Sequence, residues 1–166
     1  MTRQPTRFTK RKVRIAVAIS TIVVGAGAVV IYSVWRNQPI IDQRLIREAD
    51  FPVYVPRSLP EGFVVQREHT QLDTGVLSYV VASETTGREV TVTVQPKPAK
   101  FDMSQMTKGG SIESVAVTTG ILYNLSAVGT SRYLLDTGDT LVFLTSPSSI
   151  DMATMTSLTN SLDRFN

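Results

Sequence analysis

The chain of 166 residues contains no cysteine. Disulfide frameworks, thiol nucleophiles and cysteine-based metal sites are thereby excluded. A domain outside the cytoplasm must then be held by its core alone. Histidine occurs once, at His69. A histidine metal cluster is impossible, and a Ser-His-Asp triad would depend on that single ring. It lies between Glu68 and Thr70 in a strand-like run and reads as an ordinary exposed strand residue. Charge is missing altogether from residues 15–35, and acid is missing from everything before them.

That uncharged stretch of twenty-one residues is the most informative feature present. About 20 apolar residues in a helix cross a hydrocarbon core roughly 30 Å thick. Arg3, Arg7, Lys10, Arg11, Lys12 and Arg14 precede it. Basic residues resist translocation, so residues 1–14 are expected to stay cytoplasmic and everything after Arg36 to face outward. The competing reading is a cleaved leader, for which Ala26-Gly27-Ala28 supplies a small-x-small site. Against it, the apolar run continues to Tyr32 and Trp35, aromatics that suit a membrane interface, before Arg36 stops it. A retained plasma-membrane anchor is the expectation, and whether it is ever cut stays open.

The net charge of +3 belongs to that anchor. Residues 37–166 hold ten Lys/Arg and fourteen Asp/Glu, so the outer part is mildly acidic and shows no basic face for nucleic acid. Pro39, Ile40, Ile41, Leu45 and Ile46 suggest a juxtamembrane connector over 36–50 with a short helix or stalk. Residues 51–166 are enough for one ordinary domain.

Within that domain the pattern is strand and turn. Pro52, Pro56 and Pro60 forbid a helix and predict an extended lead-in, closed by the turn Leu59-Pro60-Glu61-Gly62. Strands are expected over 63–71, 76–83, 88–95, 112–118, 121–126, 130–135 and 140–145. The cleanest alternation sets Val90, Val92 and Val94 against Thr91, Thr93 and Gln95, the mark of a half-buried antiparallel strand. Leu141-Val142-Phe143-Leu144 is apolar on both faces and belongs at the centre of the sheet. A loop over 100–110 carries a turn of helix near Met103 to Met106. Met155, Leu158, Leu162 and Phe165 recur with helical spacing after Ser148 or Ser149 as cap, predicting a C-terminal helix across the sheet. The fold class is α+β: a transmembrane helix, then an antiparallel β-sheet domain with a C-terminal helix packed on it.

No constellation of residues spells a reaction. Asp136 and Asp139 flank Thr137-Gly138 and read as turn chemistry rather than a calcium loop. Glu84, Glu89, Asp73 and Glu113 have no paired-carboxylate spacing. Lys108-Gly109-Gly110-Ser111 lacks the phosphate-loop pattern. No catalytic residue, metal or cofactor is expected. A partner-binding surface is the remaining candidate, drawn from Phe51, Tyr54 and Phe63 around the proline-rich lead-in and Phe101, Met103 and Met106 in the long loop.

Phe51-Pro52-Val53-Tyr54-Val55-Pro56 and Leu59-Pro60-Glu61-Gly62-Phe63, with Gly138-Asp139-Thr140-Leu141-Val142-Phe143-Leu144 before a closing helix, carry a resemblance over residues 51–163. The chain resembles a bacterial family of extracytoplasmic domains of unknown function behind a single transmembrane helix, some in anti-sigma-factor-like or sporulation-associated proteins. It is also similar to short single-pass membrane proteins of candidate-phylum bacteria. The resemblance implies a cell-envelope domain. The cytoplasmic part is too short for a sigma-binding helical domain and has no His/Cys zinc cluster, so direct sigma-factor binding is not implied. The expected function is a non-enzymatic, membrane-tethered domain that binds or senses an envelope protein or glycan. The alternatives are a cell-envelope enzyme and an accessory subunit of an envelope or secretion complex.

Overall fold

Alternation of β-branched and polar residues, the strongest local signal after residue 60, becomes a seven-stranded antiparallel sheet. The computed structural model describes residues 40–107 and 112–165. The basic tail and the apolar span of 15–35 lie outside these residues, as does Lys108-Gly109-Gly110-Ser111. Among the described residues no helix is long and apolar enough to cross a membrane. In chain order the elements are α1 (Gln43–Glu48), β1 (Val53–Pro56), β2 (Phe63–Asp73), β3 (Val76–Ser83), β4 (Glu89–Pro96), α2 (Met103–Thr107), β5 (Ser114–Val117), β6 (Gly120–Asn124), β7 (Ser131–Asp136), β8 (Thr140–Ser146), α3 (Met152–Asn160) and β9 (Leu162–Phe165).

The large sheet runs β2-β3-β4-β8-β7-β6-β5, with every neighbouring pair antiparallel. The doubly apolar strand β8 is its middle strand, as its sequence predicts. Register carries the valine stripe of β4 across the sheet, Val92 beside Tyr79 and Leu144, and Val94 beside Leu77 and Val142. Leu135 and Leu122 extend the same face through β7 and β6. These side chains are 0–2 % exposed and form one core. Covering them are β1 and β9, paired antiparallel as a two-stranded ribbon, together with Ile46 of α1 and Met155 and Leu158 of α3. Two bonds fix the ribbon: the buried Tyr79 hydroxyl donates to the Tyr54 carbonyl (3.2 Å) and the Thr140 hydroxyl, at a part-buried site, to the Pro52 carbonyl (3.0 Å).

Two expectations are corrected. The C-terminal helix stops at Asn160, and Leu162 and Phe165 belong to β9 instead. Ser161 ends the helix, its amide and hydroxyl both turned back on the Leu158 carbonyl (3.1 and 2.6 Å). The next four residues then satisfy the backbone of β1, with Val53 opposite Phe165 and Pro56 opposite Leu162. A spacing of three and four residues fits either structure, and a partner about a hundred positions away decides between them. The helix cap is likewise Asp151 rather than Ser148 or Ser149; its carboxylate accepts from the Thr154 amide (2.8 Å) and hydroxyl (3.0 Å). The short helix expected in the connector is α1, capped by Asp42, and Ile41 and Ile46, 2 % and 4 % exposed, enter the core of the domain.

Strands β4 and β5 point the same way although β8, β7 and β6 lie between them. The intervening chain must therefore cross about 19 Å of sheet, four strand spacings, while returning along the strand axis. It starts across the face opposite the main core. Lys97 donates to both carboxylate oxygens of Asp136 (3.0 and 2.7 Å) and lies 5.5 Å from the centre of the Phe101 ring. Leu134 and Leu141 on that face are 0 % and 1 % exposed.

Candidate functional site

Aromatic and methionine side chains do not gather into one surface. Phe51 and Tyr54 are 7 % and 4 % exposed and are packed in the core, because Tyr54 is pinned from below by Tyr79. They withdraw from any partner surface. Phe63 is half-buried at the start of β2 and packs against the same core. Phe101, against Lys97, and Met103 are half-buried in the crossover, and Met106 is exposed. The two groups of three therefore belong to different parts of the fold.

Asp136 and Asp139 are accounted for as turn residues. Asp136 accepts from the Gly138 amide (2.9 Å) besides holding Lys97, and Asp139 pairs with Arg164 (2.9 Å). Among the described residues no three His, Asp or Glu side chains converge in a way that would hold a metal ion. Buried deep in the core, Tyr79 has its phenol pushed far above the ordinary tyrosine range by loss of solvation, which makes it a structural donor and not an acid of use near neutrality.

What the fold leaves open is the uncovered part of the second face. Because residues two apart share a face, register lines up Val80, Thr91, Thr145 and Arg132 across β3, β4, β8 and β7. Two shallow clefts meet on this line. One, of about 220 Å³, is lined by Thr91, Thr130, Arg132 and Thr145 with Ser131, Ser146 and Pro147. The other, of about 300 Å³, is lined by Glu68, His69, Thr70, Gln71, Ser78, Tyr79, Val80 and Thr91. Thr91 belongs to both, so they form one trough.

At the β2 end the trough is shaped by an irregularity. Pairing of β2 with β3 slips between Gln66 and Gln71, freeing the intervening residues of the edge strand from the ladder. Bulges of this kind re-aim side chains at sheet edges. Here they set up a relay. Gln66 donates its amide N–H to the Glu89 carboxylate (3.2 Å), which only accepts, and so turns its own amide oxygen to His69 Nδ1 at 2.8 Å. The neutral imidazole then carries its proton on Nδ1 and offers Nε2 as an acceptor. Thr70 Oγ1, beside it, is buried with no hydrogen-bond partner. An unsatisfied buried hydroxyl costs about 1–3 kcal/mol and asks for an explanation.

The sequence reads His69 as an exposed strand residue, and it is one, in β2. Its spacing of three from Gln66 was legible, but the Glu89 that orients Gln66 comes from two strands away. No family model, curated protein or solved structure matches the chain.

Proposed function

We propose that this chain is a single-pass, membrane-anchored binding domain that works outside the cytoplasm and is not an enzyme. The span of 15–35 with its basic flank supports the anchor and the orientation. The observation that carries the binding role is the asymmetry of the sheet: one face is sealed by core, and the other opens in a trough of hydroxyl, imidazole and guanidinium groups. Its serine and threonine hydroxyls, the His69 ring and the Arg132 guanidinium are groups that recognise a ligand by hydrogen bonds. The residue resemblance to envelope domains behind a single helix supports the same reading. An envelope component is then the ligand, held at the membrane surface by the tether.

The absence of cysteine makes the test direct. In intact cells a membrane-impermeant maleimide should label Val128→Cys, at a fully exposed hairpin tip, and should reach Thr2→Cys only after lysis. A photocrosslinker at Thr91 of the full chain should trap an envelope component that the same crosslinker at the exposed Ser157 does not. Protection of position 128 in intact cells would remove the proposed orientation. Labelling at 128 with no crosslinked product from Thr91 beyond that from Ser157 would remove the binding role.

A further inference from the structure

Resting on that reading, we infer that the trough is a glycan site: a saccharide strand lies across β2, β3, β4, β8 and β7 between His69 and Arg132. Four features converge. The lining sets carbon surface, Val80 and Pro147 included, beside Ser78, Thr91 and Thr145, whose hydroxyls donate and accept at once, as sugar hydroxyls do. Protein partners instead favour a desolvated core anchored by large aromatic side chains, and the one aromatic in this lining, Tyr79, is fully buried with its hydroxyl bonded to the Tyr54 carbonyl. At one end the Glu89–Gln66–His69 relay leaves the His69 Nε2 as an acceptor for a ligand hydroxyl. At the other end Arg132 is exposed, and among the described residues no carboxylate is paired with it. Its fork suits a carboxylate substituent on the sugar. The two clefts share Thr91, so a ligand filling both is extended and runs across the strands over about 19 Å, four strand spacings.

The test uses the full-length chain in lipid nanodiscs, since alkyl-maltoside detergents are themselves sugars. Two probes separate the neutral polymer from its acidic relative: chitohexaose, and peptidoglycan glycan strands stripped of peptide but keeping the lactyl carboxylates. Titration calorimetry should detect both, the carboxylated strand more tightly. Thr91→Val keeps shape and strand preference while deleting the shared hydroxyl. It should weaken both probes about three- to tenfold, the worth of one hydrogen bond. Arg132→Gln should remove the advantage of the carboxylated strand, and Ser157→Ala, on α3 away from the trough, should change nothing. Absence of binding to either probe overturns the inference. So does a Thr91→Val variant that stays folded by circular dichroism and binds as Ser157→Ala does. A protein crosslinked from Thr91 while both sugars fail would overturn the glycan assignment and leave the tethered binding domain standing. Failure of maleimide to reach residue 128 would instead strike the parent reading, whatever the sugars do.

Discussion

Gly120 opens β6 where the backbone of β7 comes closest to it. A Cβ placed there would run into the carbonyl of Asp136, a backbone atom with no freedom to swing aside. Overpacking of this sort costs about 1–3 kcal/mol even where side chains can give way, and here they cannot. Gly120→Ala is therefore expected to destabilise the domain by about 3 kcal/mol in urea unfolding, although the substitution is small and the strand half-buried. A loss below about 0.5 kcal/mol, the scale of an ordinary surface change, would show that the two backbones can separate. The demand for glycine was invisible beforehand. Sequence marks Gly120 as punctuation between two strands, and that is true, but the carbonyl it must avoid lies sixteen residues on, in a strand whose register no local pattern gives. His69 was obscured in the same way. Its type and exposure could be read, while its orienting partner could not.

At the level of the element, α3 shows how one side chain sets a boundary. Asp151 accepts from both the amide and the hydroxyl of Thr154, and these bonds hold its carboxyl below the usual aspartate range. A carboxylate at a helix N-terminus is also favoured by the orphan amide groups there. Asp151→Ala should cost about 1 kcal/mol, the usual value of an N-cap, read as a lower denaturation midpoint with an unchanged slope. The pH dependence follows in sign from the depressed titration. Stability supplied by the ionised cap is fully present above the pH at which an unfolded aspartate titrates, and it is lost as acid carries the folded carboxyl through its lower value. The wild-type advantage over Asp151→Ala should thus be constant near neutrality and shrink in acid. An advantage that grew on acidification would mean that the cap is not acting as an anion. Most elements were legible because alternation is a local property: β4 and β8 lie where their valines and leucines place them. The seam between α3 and β9 was not, since Met155, Leu158, Leu162 and Phe165 fit a continued helix until Ser161 turns back on Leu158.

For the domain as a whole, residues 40–165, the decisive contact joins its two ends. Strand β1 follows α1 by a few residues, β9 is the last element, and each is the other's only partner in the ribbon. The ribbon lies over the valine face of the sheet. Val53 and Val55 are fully buried, Leu162 is 5 % exposed, and the Arg57–Asp163 pair (2.8 Å) fastens the rim. Because the exposed rim pair contributes little, apolar burial and ladder hydrogen bonds carry the closure. Removing residues 161–166 would delete less than a twentieth of the chain, yet it strips a strand from Val53 to Pro56 and uncovers the centre of the core. Loss of Leu162 alone is worth about 1.5–3 kcal/mol of burial. Adding Phe165 and the unmade backbone bonds gives about 4–6 kcal/mol, a large share of the 5–15 kcal/mol typical of a domain. The truncated protein should melt more than about 10 °C lower and be cleaved by protease near residues 40–60 first, because those residues lose their cover. Equal melting temperatures for the full and truncated chains would mean that the core closes without β9. A drop without early cleavage near β1 would mean that the two ends of the domain are not held by each other.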